Sequence, residues 1–120
     1  MTVIAGSVAV VTGGSRGIGR AFVDELYARG AAKVYATARD PRTVVHPDAV
    51  PVALELSDPA SVTALADLAG DATILVNNAG VLLGTSFLDS ALEDIHQEFD
   101  LNFYGPLLAT RAFAPIIQGN

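Results

Sequence analysis

The sequence predicts an α/β fold built on a parallel sheet. Short apolar runs rich in β-branched residues alternate with longer segments that carry apolar residues at helical spacing. The short runs do not alternate with polar residues, which is typical of strands covered on both faces. Strands and helices that alternate in this way form right-handed βαβ units, and their strands are parallel. A length of 120 residues suits one such domain and not two.

Four strands are predicted, at residues 7–12, 33–37, 50–54 and 73–76. The stretch from 39 to 48 holds two prolines and few apolar residues, which predicts a surface connection. The expected architecture is the first half of a doubly wound parallel sheet, with about four strands and flanking helices. We expect residues 1–120 to form this single domain.

Two helices are predicted between these strands. The apolar residues of the first are Ile18, Ala21, Phe22 and Leu26. Gly30 should end this helix as its C-terminal cap. Asp58 and Pro59 predict the start of the second helix, since they match an N-cap followed by proline at the first helical position. The apolar residues of the second are Val62, Leu65, Ala66 and Ala69, and it should close at Gly70.

A longer helix is predicted after the fourth strand. Ser90 and Glu93 have the spacing of a capping box, which predicts the helix start. Its apolar residues include Leu92, Ile95 and Phe99. Gly105 followed by Pro106 should kink it.

The composition is apolar for so short a chain. Apolar residues make up 51% and charged residues 17%, against about 25% charged in ordinary soluble domains. A domain of this size leaves much of its surface in water, so we expect part of this surface to be covered by more protein.

Charge and residue usage exclude several classes of protein. The net charge of −6 argues against generic binding to nucleic acids or to acidic membranes. No cysteine is present, which excludes a disulfide scaffold and a thiolate metal site. No apolar run has the length of a membrane span, and the first residues lack the pattern of an export signal. A reducing, cytoplasmic location is the expectation.

A glycine-rich turn follows the first strand directly. Its sequence is Thr12-Gly13-Gly14-Ser15-Arg16-Gly17-Ile18-Gly19, and a predicted helix begins there. Gly13 would allow the sharp turn, Gly17 would leave room for a pyrophosphate, and Gly19 would let the helix pack against the sheet. The helix N-terminus would present free N–H groups to the phosphates. No Gly-Lys-Ser/Thr sequence follows, so a P-loop is excluded. The alternative is a tight turn that binds no ligand.

Two motifs together resemble the short-chain dehydrogenase/reductase family. Thr12-Gly-x-x-x-Gly17-x-Gly19 is the first, and Asn77-Asn78-Ala79-Gly80 after the fourth strand is the second. The resemblance covers residues from Ser7 to about Pro115 and implies a Rossmann-type, NAD(P)-binding fold. It also implies hydride transfer between a nicotinamide and a small-molecule carbonyl or alcohol substrate. Relatives pair subunits through the corresponding kinked helix, so the resemblance implies a homo-oligomer, a dimer or a tetramer.

The end of the second strand bears on the choice of cofactor. Family members that use NAD resemble one another in carrying Asp where this chain has Ala38, and Arg39 follows. A guanidinium can hold a 2′-phosphate bidentately, and Arg16 could approach the same phosphate from the glycine turn. We therefore expect NADP(H) rather than NAD(H). Asp40 is the complication, because a shifted strand end would place its carboxylate on the ribose.

The resemblance implies further cofactor contacts. Relatives commonly have Asp where this chain has Glu55, and that residue is implied to contact the adenine amine. A solvated acidic loop is the alternative for Glu55. The residues expected to bind the cofactor are Gly13, Ser15, Arg16, Gly17, Ile18, Gly19, Arg39, Glu55, Leu56, Asn78, Ala79 and Gly80.

Only one of the catalytic residues implied by the resemblance is present. Asn102 matches the Asn that holds a relay water in the kinked helix, although it could instead be a plain surface residue. The family uses a Tyr with a Lys four residues later, and the only lysine here is Lys33. Tyr27, Tyr35 and Tyr104 are followed four places on by Ala31, Arg39 and Leu108.

The remaining candidates are weak. Ser86 and Ser90 lie too early to match the family's Ser. His46 and His96 are isolated and expected to be solvated. We therefore expect the chain to stop before the catalytic Tyr-x-x-x-Lys region and to show no turnover by itself. The resemblance then implies that the family's later strands are missing, which would leave several parts uncovered: the edge of the fourth strand, Val81, Leu82 and Leu83, and the helical residues Leu107, Leu108 and Phe113.

Two other functions remain open from the sequence. A non-catalytic dinucleotide-binding or interaction module, completed by oligomerisation, is the first alternative. A structural βαβ domain without a ligand is the second.

Overall fold

A computed structural model describes residues 3–81, 83, 84, 86 and 88–120. The strands are β1 (Val8–Val11), β2 (Lys33–Ala38), β3 (Val50–Ala53) and β4 (Ile74–Val76). The helices are α1 (Gly17–Ala28), α2 (Pro59–Leu68), α3 (Leu92–Phe99) and α4 (Gly105–Gly119), with a short 3₁₀ turn at Pro41–Thr43 and a π-helical segment at Asp100–Tyr104 between α3 and α4. Leu82 and residues 85 and 87 lie outside the described residues, so the expectation for Leu82 has no structural outcome.

The four strands form one parallel sheet in the order β3-β2-β1-β4. β1 lies in the middle, with Val10 opposite Tyr35 on one side and Leu75 on the other. α1 joins β1 to β2 on one face and α2 joins β3 to β4 on the other, so the predicted doubly wound α/β fold is confirmed. The carboxyl ends of all four strands meet at one edge, where a fold of this type binds its ligands.

Two apolar cores lie on opposite faces of the sheet. α1 covers one face through Val23 and Leu26, which are buried against Ala9, Val11 and Val34. α2 and α4 cover the other face. There Leu65 of α2 and Phe113 of α4 share a buried core with Val10 of β1. Each face of the central strand is therefore buried, as its uninterrupted apolar sequence predicts.

The predicted end of α1 and the predicted start of α2 are confirmed. Gly30, at φ +92°, ends α1, and the N–H groups of Gly30 and Ala31 bind the Tyr27 and Leu26 carbonyls at 3.0 Å each. The Asp58 carboxylate accepts the Ala60 N–H at 3.0 Å and caps α2, with Pro59 as its first residue. The apolar face predicted for α2 is the buried face.

Three expectations were wrong. α1 is rotated about one residue from its predicted face, since Ile18 and Phe22 are 71% and 42% exposed while Gly19 and Val23 are buried. Ser90 does not cap α3, because its hydroxyl accepts the Ser86 N–H and Ala91 is the N-cap residue. Phe113 is fully buried rather than exposed, since α4 turns it onto the sheet.

The predicted kink takes the form of a π-helical turn directly before Gly105 and Pro106. A Cβ at Gly105 would lie 3.2 Å from the Leu56 Cβ, so glycine lets α4 approach the loop after β3. The outer face of α3–α4 keeps its apolar side chains in water: Leu92, Phe99, Phe103, Tyr104 and Leu107. In the described residues, no helix has the length and apolar character needed to cross a membrane.

Candidate dinucleotide site

The glycine turn leaves β1 at the carboxyl edge of the sheet. Gly13 and Gly17 have φ values of +67° and +57°, which favour glycine because it has no Cβ. A Cβ at Gly19 would lie 1.9 Å from the Gly13 carbonyl oxygen, so no other residue fits there. A Cβ at Gly17 would meet no atom within 4 Å, so the space beside this residue is open.

Thr12 and Asn78 fix this turn to the end of β4. The buried Thr12 hydroxyl accepts the N–H groups of Asn78 and Ala79, each at 3.0 Å. The Asn78 Nδ2 donates in return to the Thr12 and Gly13 carbonyls at 3.2 and 3.1 Å. The side-chain amide of Asn78 therefore holds the ends of β1 and β4 together.

Thr37 fixes the turn from the β2 side. Its hydroxyl accepts the Gly13 N–H at 3.2 Å, and its carbonyl accepts the Gly14 N–H at 2.8 Å. A Cβ at Gly14 would lie 2.9 Å from the Ala36 Cβ, so this glycine allows a close approach to β2. Sequence reasoning assigned no role to Gly14, Thr37 or the Thr12 hydroxyl. The sequence did offer a signal for these roles, since a Thr lies at or near the end of both β1 and β2.

The N-terminus of α1 has the features that favour anion binding. Arg16 is the N-cap residue and makes no side-chain capping hydrogen bond, and the first turn holds no acidic residue. The first N–H groups of a helix have no intrahelical acceptor, and the helix dipole adds positive potential there. With the open space beside Gly17, these groups fit the phosphates of a dinucleotide.

A cleft of about 1310 Å³ extends from this turn along the carboxyl edge of the sheet. Its walls come from the glycine turn, the ends of β2, β3 and β4, and α3. The expected cofactor-binding residues among its lining are Gly13, Ser15, Arg16, Gly17, Arg39, Glu55, Leu56, Asn78, Ala79 and Gly80. Ile18 and Gly19 follow in the first turn of α1 and do not line it.

Three charged groups line the cleft near the end of β2, two from the residues that follow this strand and one from the glycine turn. Arg39 and Arg16 line it, and neither pairs with a carboxylate in the described residues. Asp40 also lines it, but both of its carboxylate oxygens accept from the Arg42 guanidinium at 3.0 Å. These hydrogen bonds, with a further one from the Arg42 N–H, lower the pKa of the Asp40 carboxyl.

The loop after β3 forms another wall of the cleft. The Glu55 carboxylate accepts a hydrogen bond from the Ser57 hydroxyl at 3.0 Å and is exposed. Its own N–H donates to the Ser61 hydroxyl at 2.9 Å, which ties the loop to α2. Leu56 is buried and packs towards Gly105.

Asn102 holds the segment that follows β4. Its Oδ1 accepts the Val81 N–H at 2.7 Å, and its Nδ2 donates to the Val81 carbonyl at 2.6 Å. A Cβ at Gly80 would lie 2.8 Å from the Asn102 Oδ1, so Gly80 allows this approach. The Leu83 N–H donates to Glu98 at 2.6 Å, one helical turn earlier. The backbone at Val81 and Leu83 is therefore held by side chains of the helix.

The other candidate acid–base groups lie elsewhere. Lys33 pairs with Asp71, and Tyr35 donates to the same carboxylate at 2.8 Å, all at the opposite end of the sheet. His96 lines the rim of the cleft on α3. His46 is half-buried rather than solvated, since it stacks on Tyr27 with ring centroids 4.6 Å apart. The described residues hold no group of three His, Asp or Glu side chains placed for a metal ion.

Comparison with known proteins agrees with this geometry. A short chain dehydrogenase family model matches residues 7–120. The chain is 36% identical to 1-deoxy-11-beta-hydroxypentalenate dehydrogenase of Streptomyces avermitilis, over 91% of this chain and 46% of that protein. A short chain dehydrogenase of Burkholderia cenocepacia, solved in complex with NADP, has a TM-score of 0.94 and 37% identity over 99% of this chain and 52% of its own.

Relatives with either dinucleotide are similar to this chain. A short chain dehydrogenase/reductase of Burkholderia phymatum, solved in complex with NAD, has a TM-score of 0.88 and 35% identity, over 99% of this chain and 47% of its own. The chain spans less than half the length of the curated relatives it matches. The family match covers nearly every described residue and includes both motifs at the cleft. This chain therefore belongs to the short-chain dehydrogenase family.

Proposed function

We propose that the chain is the NADP(H)-binding part of an oxidoreductase that transfers a hydride between the nicotinamide and a carbonyl or alcohol substrate. One observation carries the proposal. The N-terminus of α1, which has no side-chain cap, opens beside Gly17 into a cleft that is also lined by Arg39, a cation that pairs with no carboxylate among the described residues. The family match favours this function over a non-catalytic module.

Each part of the dinucleotide has a matching part of the cleft. The N–H groups of Gly17, Ile18 and Gly19 would bind the pyrophosphate, and Arg39 with Arg16 would bind the 2′-phosphate. Glu55 and Leu56 would lie at the adenine. Asn78, Ala79 and Gly80 would form the floor beneath the riboses, with the backbone rather than the Asn78 amide facing the cofactor. Gly13 and Ser15 complete the turn.

The bound dinucleotide would supply or accept the hydride, and residues of the protein must move the accompanying proton. We assign Asn102 a part in the proton path. Its side chain is committed to Val81, so it would hold the segment beside the nicotinamide, and the π-helical turn would free backbone groups for a relay water. No Tyr-x-x-x-Lys sequence is present in the 120 residues, so we expect no turnover from this chain alone.

Nucleotide titration tests the proposal. NADPH and NADH are titrated into the intact protein, with binding followed by nucleotide fluorescence and calorimetry. We expect tighter binding of NADPH, and a reversed preference in Arg39→Asp. Equal affinity or tighter binding of NADH would contradict the role of Arg39. No binding of either nucleotide at millimolar concentration would contradict the function.

The oligomeric state, the location and the substrate class are proposals as well. We infer a homo-oligomer that pairs through α3–α4, and the exposed apolar side chains of its outer face support this. A cytoplasmic location stays a prediction from the sequence. The substrate is proposed only as a small carbonyl or alcohol compound.

A further inference from the structure

Asp40 is the one acidic side chain at the end of β2 in the cleft lining, two residues after Ala38. A free carboxylate there would repel a 2′-phosphate and accept hydrogen bonds from ribose hydroxyls, which favours NAD(H). Arg39 acts in the opposite direction. The selectivity of this cleft therefore depends on the state of the Asp40 carboxylate.

The Asp40 carboxylate is engaged by its own loop. Its Oδ1 accepts the Arg42 N–H and Nε, and its Oδ2 accepts the Arg42 Nη2, each at 3.0 Å. The same residue caps the 3₁₀ turn Pro41–Thr43, and its carbonyl accepts the Thr43 hydroxyl at 2.7 Å. Pro41 restricts the backbone between the two partners. The carboxylate is thus held towards Arg42, which does not line the cleft.

The far end of the same loop is also fixed. The Tyr27 hydroxyl donates to the Asp48 carbonyl at 2.8 Å and accepts the Val34 N–H at 3.0 Å. His46 stacks on the Tyr27 ring, and its Nδ1 accepts the Asp48 N–H at 3.1 Å. The far end of the loop from β2 to β3 is therefore anchored to α1 and to β2, while the near end is held by the Asp40 cap.

We propose that Arg42 determines cofactor specificity through Asp40: by pairing with this carboxylate it offsets the negative charge that would oppose the 2′-phosphate of NADP(H) and turns the carboxylate oxygens away from the ribose. Arg42 is a positioning residue, and Arg39 is the residue that would touch the phosphate. This inference rests on the proposed function, since it concerns how the same cleft selects its dinucleotide. It explains how a strand end with an acidic residue can still suit NADP(H).

Four proteins test it by titration with NADPH and NADH: the wild type, Arg42→Met, Asp40→Asn and the double variant. Arg42→Met frees the carboxylate and should shift the preference towards NADH about five- to tenfold. Asp40→Asn keeps a side chain that can cap the turn and should not reduce the preference for NADPH. The double variant should return to within about twofold of the wild type.

Arg29→Met is the matched control. Arg29 pairs with Glu25 at 2.7 Å on the exposed surface of α1, outside the cleft. This variant should leave the preference unchanged, and urea unfolding of all five proteins checks that they are folded. Raising the salt concentration is a further check. Salt screens the exposed Asp40–Arg42 pair, so it should reduce the difference in cofactor preference between the wild type and Arg42→Met.

The outcomes separate the inference from the proposed function. The wild-type preference tests the function, while the change caused by Arg42→Met tests the pairing with Asp40. An unchanged preference in Arg42→Met would overturn the inference. A loss of NADPH affinity that Asp40→Asn does not restore would also overturn it, since Arg42 would then contact the phosphate directly.

Discussion

The glycine turn and the outer face of α3–α4 differ in whether their groups are buried and bonded within the chain. Where the turn leaves β1, its backbone groups find partners within the chain, through Thr12, Thr37 and Asn78. On the outer face, apolar side chains such as Phe99 and Phe103 remain 59% and 57% exposed. The two regions therefore differ in whether the described residues themselves supply the partners.

This difference shows where the 120 residues are self-sufficient. A turn fixed by buried hydrogen bonds and by glycines without room for a Cβ is rigid before any ligand binds. An apolar face in water gains free energy when another surface covers it. The dinucleotide end of the fold is therefore specified internally, while the α3–α4 side presents a surface suited to contact with further protein.

The largest expected effect on stability comes from replacing Phe by Ala in α4, compared with the same substitution in α3. Phe113→Ala removes a fully buried ring and should lower the free energy of unfolding by about 3–5 kcal/mol. Phe99→Ala, its counterpart on the outer face, should change it by no more than about 0.5 kcal/mol at protein concentrations low enough for the chain to be monomeric. Urea unfolding at several protein concentrations measures both. A large, concentration-dependent loss in Phe99→Ala would show that a second copy covers the outer face.

The glycine turn should tolerate no side chain at its tightest point. Gly19→Ala places a Cβ 1.9 Å from the Gly13 carbonyl oxygen, so the turn must move and unfolding should become easier by about 3 kcal/mol. NADPH binding should be lost with it. Gly119→Ala, where a Cβ meets no atom within 4 Å, is the control and should unfold like the wild type. Normal NADPH affinity in Gly19→Ala would show that the turn is not rigid.

A smaller effect is expected for a single hydroxyl. Thr12→Val keeps the shape of the side chain but leaves the Asn78 and Ala79 N–H groups without their acceptor. We expect a loss of about 2 kcal/mol, since each buried donor left unpaired is unfavourable. Thr12→Ser retains the hydroxyl and should lose less. A loss in Thr12→Ser with none in Thr12→Val would show that packing of the methyl group, and not the hydrogen bonds, holds the turn.

Much of the fold could be predicted from local patterns. The four strands, the Asp58 cap and the Gly30 helix end depend on residues close in sequence, and the structure has them. The capping box at Ser90 failed because its hydroxyl binds the Ser86 N–H instead, a competing local partner. The face of α1 was misplaced because the close approach at Gly19 turns the helix towards β1.

The candidate site divides in the same way. Gly13, Gly17 and the Asn78–Gly80 motif were identified from their order along the chain, and they line one cleft. The roles of Thr12, Thr37 and Arg42 were not predicted. Each depends on which strand ends lie side by side, or on which way a loop side chain turns. Those are distances between residues far apart in the chain, or rotamers set by their surroundings.

The sequence alone determined the alternation of strands and helices, the glycine turn and the family, because each is written in neighbouring residues and their spacing. The tertiary structure decided that Phe113 is buried and Phe99 is not, and that the Asp40 carboxylate pairs with Arg42. Helical periodicity identifies an apolar face but not the surface that it meets. Only the packing of α4 across the sheet, and the anchoring of the loop after β2, supply that information.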